Sequence, residues 1–217
     1  MGASPAQAGA PDPRETTPRP ELTTEPKPSS SPDPSADEVG LESGSVTRLQ
    51  PDVAARRAEL DPYGALEGLQ FEDGAGTNFV LLRRRANNQG GAALLADHVV
   101  YPNSRERLVL REVRDGVSEC EVDMVAEFVS ESLQVTDFDD DGYDEVSFAY
   151  RLNCSGDPSP DEQKLLVLEE GKKYILRGSV FSPYEPFEDP RPEPAPSAWP
   201  PGTYDDALFR FRNSARN

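Results

Sequence analysis

From Leu69 to Gly178 the chain is a succession of short segments, some alternating apolar and polar residues and others short apolar runs, each stopped within a few residues by Gly, Asn, Asp or Pro. A helix would need apolar residues at three- and four-residue spacings over about ten positions or more. No stretch of useful length in that span offers this pattern. Alternation with a period of two reads instead as half-buried strand. Gly68-Leu69-Gln70-Phe71-Glu72 alternates up to the turn Asp73-Gly74-Ala75-Gly76. Strand-like runs follow at 78–83, 93–101, 108–113, 121–125, 133–136 and 145–152. Two more, at 164–168 and 173–177, are joined by Glu169-Glu170-Gly171-Lys172, a hairpin signal. About nine strands at roughly 8–12-residue spacing predict an all-β, antiparallel meander, built as a propeller-like sheet, a sandwich or a barrel.

The flanks read differently. Nine prolines fall before residue 40, and Leu22 is the only large aliphatic residue before Val39. Such a segment buries too little surface to offset its ordering entropy, so residues 1–45 are expected to be a disordered Pro/Ser/Thr-rich tether. Residues 46–68 form a lead-in, with Pro51–Leu60 as a short helix or extended stretch. The β-domain spans 69–180. Eight prolines lie between Pro183 and Pro201, here mixed with Phe181, Tyr184, Phe187 and Trp199. Aromatics predict that residues 181–217 pack on the domain and end in a short C-terminal helix. Thr203 is the expected cap, with Tyr204, Leu208 and Phe211 on one face.

The chemistry concentrates in Asp137-Phe138-Asp139-Asp140-Asp141-Gly142-Tyr143-Asp144-Glu145. It fits D-x-D-x-D-G-x-x-E. Calcium takes six to eight oxygens at about 2.3–2.6 Å. Carboxylates at alternate positions point the same way around a tight turn, and glycine at the sixth position permits the bend. Asp137, Asp139 and Asp141, the carbonyl of Tyr143 and the carboxylate of Glu145 are therefore the expected Ca²⁺ ligands. An EF-hand would need Glu at the twelfth position and flanking helices. That position is Phe148 and the flanks read as strands, so the motif is a strand–loop–strand similar to FG-GAP and integrin-type calcium loops. Mg²⁺ suits the loop less, since it keeps its waters in near-octahedral geometry. An acidic turn without metal is the alternative. From Asp115 to Glu145 there are twelve acidic residues and no Lys or Arg, a repulsion that a cation would relieve.

Cys120 and Cys154 are the only cysteines. An even count in an exported chain predicts one disulfide; in a cytosolic chain they would be two buried thiols. His98, the only histidine, reads as structural, since no nucleophile motif such as G-x-S-x-G accompanies it. Arg83-Arg84-Arg85 reads as a solvated strand end. Trp199 and its aromatic neighbours read as loop anchors, with sugar stacking as the alternative. No catalytic residue is singled out.

Several segments together resemble a family of bacterial envelope proteins known as surface polysaccharide biosynthesis proteins. They are Phe71-Glu72-Asp73 and Gly76-Thr77-Asn78, the run from Val135 through the acidic loop to Tyr150, Cys154 with Asp157-Pro158-Ser159-Pro160 and Lys164-Leu165, Gly171-Lys172-Lys173-Tyr174-Ile175-Leu176-Arg177-Gly178, and Pro196-Ser197-Ala198-Trp199-Pro200. The resemblance covers residues 69–212 and not the tail. It implies a cell-envelope location, a paired Cys120–Cys154 and a structural role for the aspartate loop. No catalytic residues come with it.

Charge narrows the partners. With 22 Lys+Arg against 40 Asp+Glu the formal net charge is −18. Phosphate-bearing nucleic acid and anionic lipid would be repelled. No apolar run is long enough for a transmembrane helix. The start Met1-Gly2-Ala3-Ser4-Pro5 has neither the basic nor the apolar region of a signal peptide. It suits a cytosolic protein, or a mature exported form whose native N-terminus carries a lipid anchor. The expectation is a non-enzymatic, extracytoplasmic (periplasmic or cell-surface), calcium-stabilised β-domain that binds surface polysaccharide or an envelope protein. The alternatives are a carbohydrate-active enzyme with structural calcium and a cytosolic structural protein with a metal-free acidic turn.

Overall fold

The computed structural model describes residues 45–104, 106–184 and 186–216. The expected tether and lipid anchor over residues 1–44 lie outside the described residues. Two antiparallel sheets carry the fold, each made from one continuous stretch of chain. The first contains β1 (Thr47–Leu49), β2 (Ala65–Asp73), β3 (Gly76–Ala86), β4 (Ala92–Tyr101) and β5 (Leu108–Val117), side by side in chain order. The second contains β6 (Met124–Phe128), β7 (Gln134–Thr136), β8 (Glu145–Cys154), β9 (Glu162–Glu169), β10 (Lys172–Ser179) and β11 (Arg191–Glu193). Its order is β11-β10-β9-β8-β6, with β7 also paired to β8. Two helices complete the set, α1 (Pro51–Arg57) and the C-terminal α2 (Thr203–Ser214). Among the described residues neither sheet closes into a barrel, and no helix is long and apolar enough to cross a membrane.

The period of two explains how the sheets stack. On β3, Val80 and Leu82 face inward, and on β8 so do Val146, Phe148 and Tyr150. With Leu69, Phe71, Leu94, Leu166 and Leu168 they form one buried core shared by both sheets. The intervening residues form the outer faces, and each outer face has a helix on it. Ala54 and Ala55 of α1 pack on Leu81 of the first sheet. Ala207, Phe211 and Ala215 of the C-terminal segment, with Trp199, pack on Ala149, Leu165, Val167 and Leu176 of the second. Small residues permit the first contact: a Cβ added to Gly68 on β2 would sit 2.3 Å from the Ala54 methyl. Pro51 begins α1 with its φ already set, and an Arg56–Asp52 ion pair at 2.7 Å spans its one face.

Several boundaries differ from expectation for identifiable reasons. The sheet starts at Thr47 rather than Leu69, since β1 is three residues long and too short to show a period. β6 begins at Met124, because Met124 faces Cys154 across the ladder. Residues 118–123 before it carry the chain from one sheet to the other. Cys120 in this crossover is bonded to Cys154 at the end of β8, an S–S distance of 2.10 Å. Arg83 is not a solvated end: it is buried on the outer face of the first sheet and paired with buried Asp97. Thr203 does not cap α2. Gly202 precedes the helix with φ +79°, and no side-chain cap is made.

Candidate metal centre

Thr136 and Glu145 are register partners on β7 and β8, so residues 137–144 are a hairpin loop at one end of the second sheet. Gly142 has φ +85°, a conformation that L side chains rarely adopt, which explains glycine at the sixth position. Backbone N–H groups orient the carboxylates: Gly142 N donates to Asp137 Oδ2 (3.3 Å) and Tyr143 N to Asp141 Oδ1 (2.8 Å). One oxygen each from Asp137, Asp139 and Asp141 lies within 4.8 Å of the others. Two oxygens on opposite sides of one calcium ion are about 4.6–5.2 Å apart, so this spacing suits a single cation.

A second group meets the first at Asp139. Oxygens of Asp139, Glu145 and Glu169 also lie within 4.8 Å of one another. Glu145 and Glu169 are both buried, at 0% and 3% exposure. Glu145 is heavily hydrogen-bonded. It accepts from Phe138 N (3.0 Å) and Thr136 Oγ1 (3.2 Å) through Oε2, and from Thr203 Oγ1 (3.2 Å) through Oε1. These three hydrogen bonds make Glu145 a brace of the loop, while its oxygens still border the group shared with Asp139 and Glu169. The Thr203 hydroxyl, placed by the start of α2, serves this carboxylate.

Electrostatics fit an arrangement designed around positive charge. Burial, with Asp141 and Asp137 close by, raises the Asp139 carboxyl above its ordinary value. Burial does the same for Glu145, against the pull of its hydrogen bonds. Glu169 is pushed up to about 7, first by burial and then by Asp139, Glu145 and Asp141, with Lys172 opposing. Its Oε2 accepts from Tyr174 OH at 3.4 Å and lies 3.9 Å from Lys172 Nζ. Asp137 Oδ1 and Asp139 Oδ1 are shut off from solvent and accept no hydrogen bond. Buried acceptors are ordinarily satisfied. A cation at about 2.3–2.6 Å comes closer than a hydrogen-bonded water at about 2.8 Å, so it can reach oxygens that water does not. The donor set, all oxygen and all anionic, fits a hard cation.

The first sheet supports the loop from the side. Its β2–β3 turn docks on it through Gly74 N to Gly142 O (2.7 Å), and Asp73 Oδ2 accepts from Asp144 N (3.2 Å). The other oxygen of Asp73 holds Asn78 Nδ2 (2.7 Å), and Asn78 Oδ1 meets His98 Nε2 (2.9 Å). His98 is thus a buried structural residue beside Phe71, and burial lowers its pKa to about 4. Trp199 is a loop anchor, packed on Tyr174 and Tyr204, with Nε1 donating to Pro194 O.

The structure therefore brings Asp137, Asp139 and Asp141 together and links Glu145 to them through Asp139. Tyr143 is placed by its N–H on Asp141. Sequence reasoning missed Glu169, Thr203 and Asp73. The available signal for Glu169 was the register of β8 on β9, where Val146 faces Leu168 one residue away. The seven-residue connection between the strands hid that register. Comparison with protein-family models, with curated proteins and with solved structures finds no match to this chain.

Proposed function

We propose that this chain is a non-enzymatic cell-envelope protein whose β-sandwich is stabilised by Ca²⁺ at Asp137, Asp139 and Asp141. In this reading it serves surface polysaccharide by binding a glycan or an assembly partner. The observation that carries the calcium part is the pair of buried, acceptor-only oxygens on Asp137 and Asp139, with the Asp139 carboxyl itself raised above its ordinary value by burial and by Asp141 and Asp137 beside it. A cation would neutralise them and favour their charged forms. The envelope part draws on the resemblance noted above. A disulfide, and no membrane-crossing helix among the described residues, are compatible with an extracytoplasmic location.

The test is calorimetric titration of the full chain with Ca²⁺, paired with thermal melts in calcium and in chelator. One saturable site and a higher melting temperature in calcium are expected. No heat at millimolar calcium and superimposable melts would remove the calcium part. Mg²⁺ in the same titration is expected to bind more weakly, since it dehydrates reluctantly and demands near-octahedral geometry.

A further inference from the structure

A cleft of about 500 Å³ opens on the outer face of the second sheet, away from the residues of the acidic loop. Its origin is a break in strand pairing. β6 leaves β8 at the Phe128–Tyr150 pair, and β7 rejoins it at Gln134–Ser147. Between them the chain bows outward, and Ala149 of β8 is served by substitutes. Val129 N donates to Ala149 O (2.9 Å), and Ala149 N donates to the Ser132 hydroxyl (2.9 Å). The bow is one wall and the last turns of α2 are the other. Val129, Ala149 and Leu165 make an aliphatic floor.

The rim decides the ligand. Arg151 donates from Nε to Gln163 Oε1 (3.3 Å) and from Nη2 to Ser214 O. Arg210 donates to Gln134 Oε1 (3.0 Å) and to the Ser147 hydroxyl, and pairs with Asp206. Neither guanidinium presents the open two-pronged fork that grips a carboxylate or phosphate. Glu127, on β6 opposite Arg151, and Glu131, on the bow, are exposed, and among the described residues their carboxylates have no ion-pair or hydrogen-bond partner, so they would repel an anion. Asn213 of α2 adds an exposed amide that both donates and accepts. Single N–H donors, free carboxylate acceptors and an amide around a small aliphatic floor match a ligand with many hydroxyls and no net charge. The volume lies in the range of small-molecule sites.

We propose that this cleft binds a neutral polyhydroxylated ligand, a sugar unit, with hydroxyls on Glu127, Glu131, Arg151 and Asn213 and its apolar face on Val129 and Leu165. The proposal deepens the glycan-binding part of the function proposed above and does not depend on its calcium part. The test is a titration of the ¹⁵N-labelled full chain, followed by amide chemical shifts. The probes are maltose, cellobiose and N-acetylglucosamine, with sodium glutamate and inorganic phosphate as charged controls. Saturable shifts with millimolar Kd, confined to residues 127–132, 149–151 and 210–214, are expected for at least one sugar and for neither control. Asn213→Trp, at an exposed helix position, fills the mouth and is expected to weaken binding by about tenfold or more, with an unchanged melt. Should that variant melt lower, Glu127→Ala with Glu131→Ala removes the acceptors without touching the floor, and the same weakening is expected. No saturable shift with any sugar, shifts that survive these variants, or tighter binding of a control would overturn the proposal. Sugar shifts retained in a protein that gives no calcium heat would leave this site standing and the calcium part removed; the opposite pattern would do the reverse.

Discussion

Asp139 belongs to both carboxylate groups of the loop, so its charge decides how the site behaves with and without a cation. Asp139→Asn with Asp141→Asn keeps the volumes and removes two charges. In chelator the double variant is expected to melt at the wild-type temperature or above, since repulsion is relieved. In saturating calcium the wild type gains about 2.7 kcal/mol at a hundredfold excess over Kd, and the variant gains little. Equal destabilisation in both solutions would contradict a cation site. His98 supplies a second test at this scale. Its folded pKa is about 4, below the ordinary 6.5, so between those values the unfolded chain binds the extra proton. Stability linked to His98 is complete above pH 6.5 and is lost as pH falls through that window to about 4. Glu169 works the other way: its raised pKa makes the metal-free fold lose stability as pH rises from the ordinary glutamate range to about 7. The pH profile of wild type minus His98→Gln isolates the histidine. That difference should favour wild type at pH 7 and shrink towards pH 5; a difference independent of pH would show that His98 is not buried neutral.

At the scale of elements, spacing is what made the fold legible. Val80 and Leu82 against Leu81 and Arg83, and Leu166 and Leu168 against Leu165 and Val167, alternate between core and outer face in space, while in sequence they are short apolar runs bounded by turn residues, as strands covered on both faces are. The two-residue turn Glu170-Gly171 joins β9 to β10 with φ of +44° and +75°, the twist that hairpins favour. β1 and β11 were illegible, because three residues carry no period, whereas the equally short β7 was read within 133–136 because the acidic loop marks its end. The acidic loop showed its aspartates in sequence, for they are neighbours in the chain. Glu169 and Thr203 join it through long-range pairing that no local pattern encodes. Arg83 was misread for a related reason: its partner Asp97 lies on the adjacent strand and the backbone of Asp61 on the segment before β2. The contact of α1 with the sheet offers a prediction here. Gly68→Val forces a side chain into Ala54, and overpacking of this kind costs about 1–3 kcal/mol. Denaturant titration should show that loss, and Gly156→Ala, where a Cβ meets only Val122 at ordinary contact distance, should show almost none.

For the molecule as a whole, the disulfide closes a loop of sequence separation 34 that contains β6, β7, the acidic hairpin and β8. It also fastens the crossover between sheets to the second sheet. In the chain-entropy account such a loop contributes about 4 kcal/mol. Cys120→Ser with Cys154→Ser should lower the denaturation midpoint by that order, and reductant should act on wild type alone. A midpoint that does not move would mean that the shared core of Phe71, Phe148 and their neighbours holds the crossover without it.

The contact between Thr203 and Glu145 has a bearing on the order in which the protein is made. Residues 47–117 contain every strand of the first sheet, so that sheet can assemble while the remainder is still being synthesised. The second sheet waits for β11, and the hydroxyl that covers Glu145 arrives 58 residues after it. Until the start of α2 has left the ribosome or a translocation channel, Glu145 lacks one of its hydrogen-bond donors. The later segment thus finishes the earlier one, and a chain released short of residue 203 would carry Glu145 without the hydroxyl that meets its Oε1.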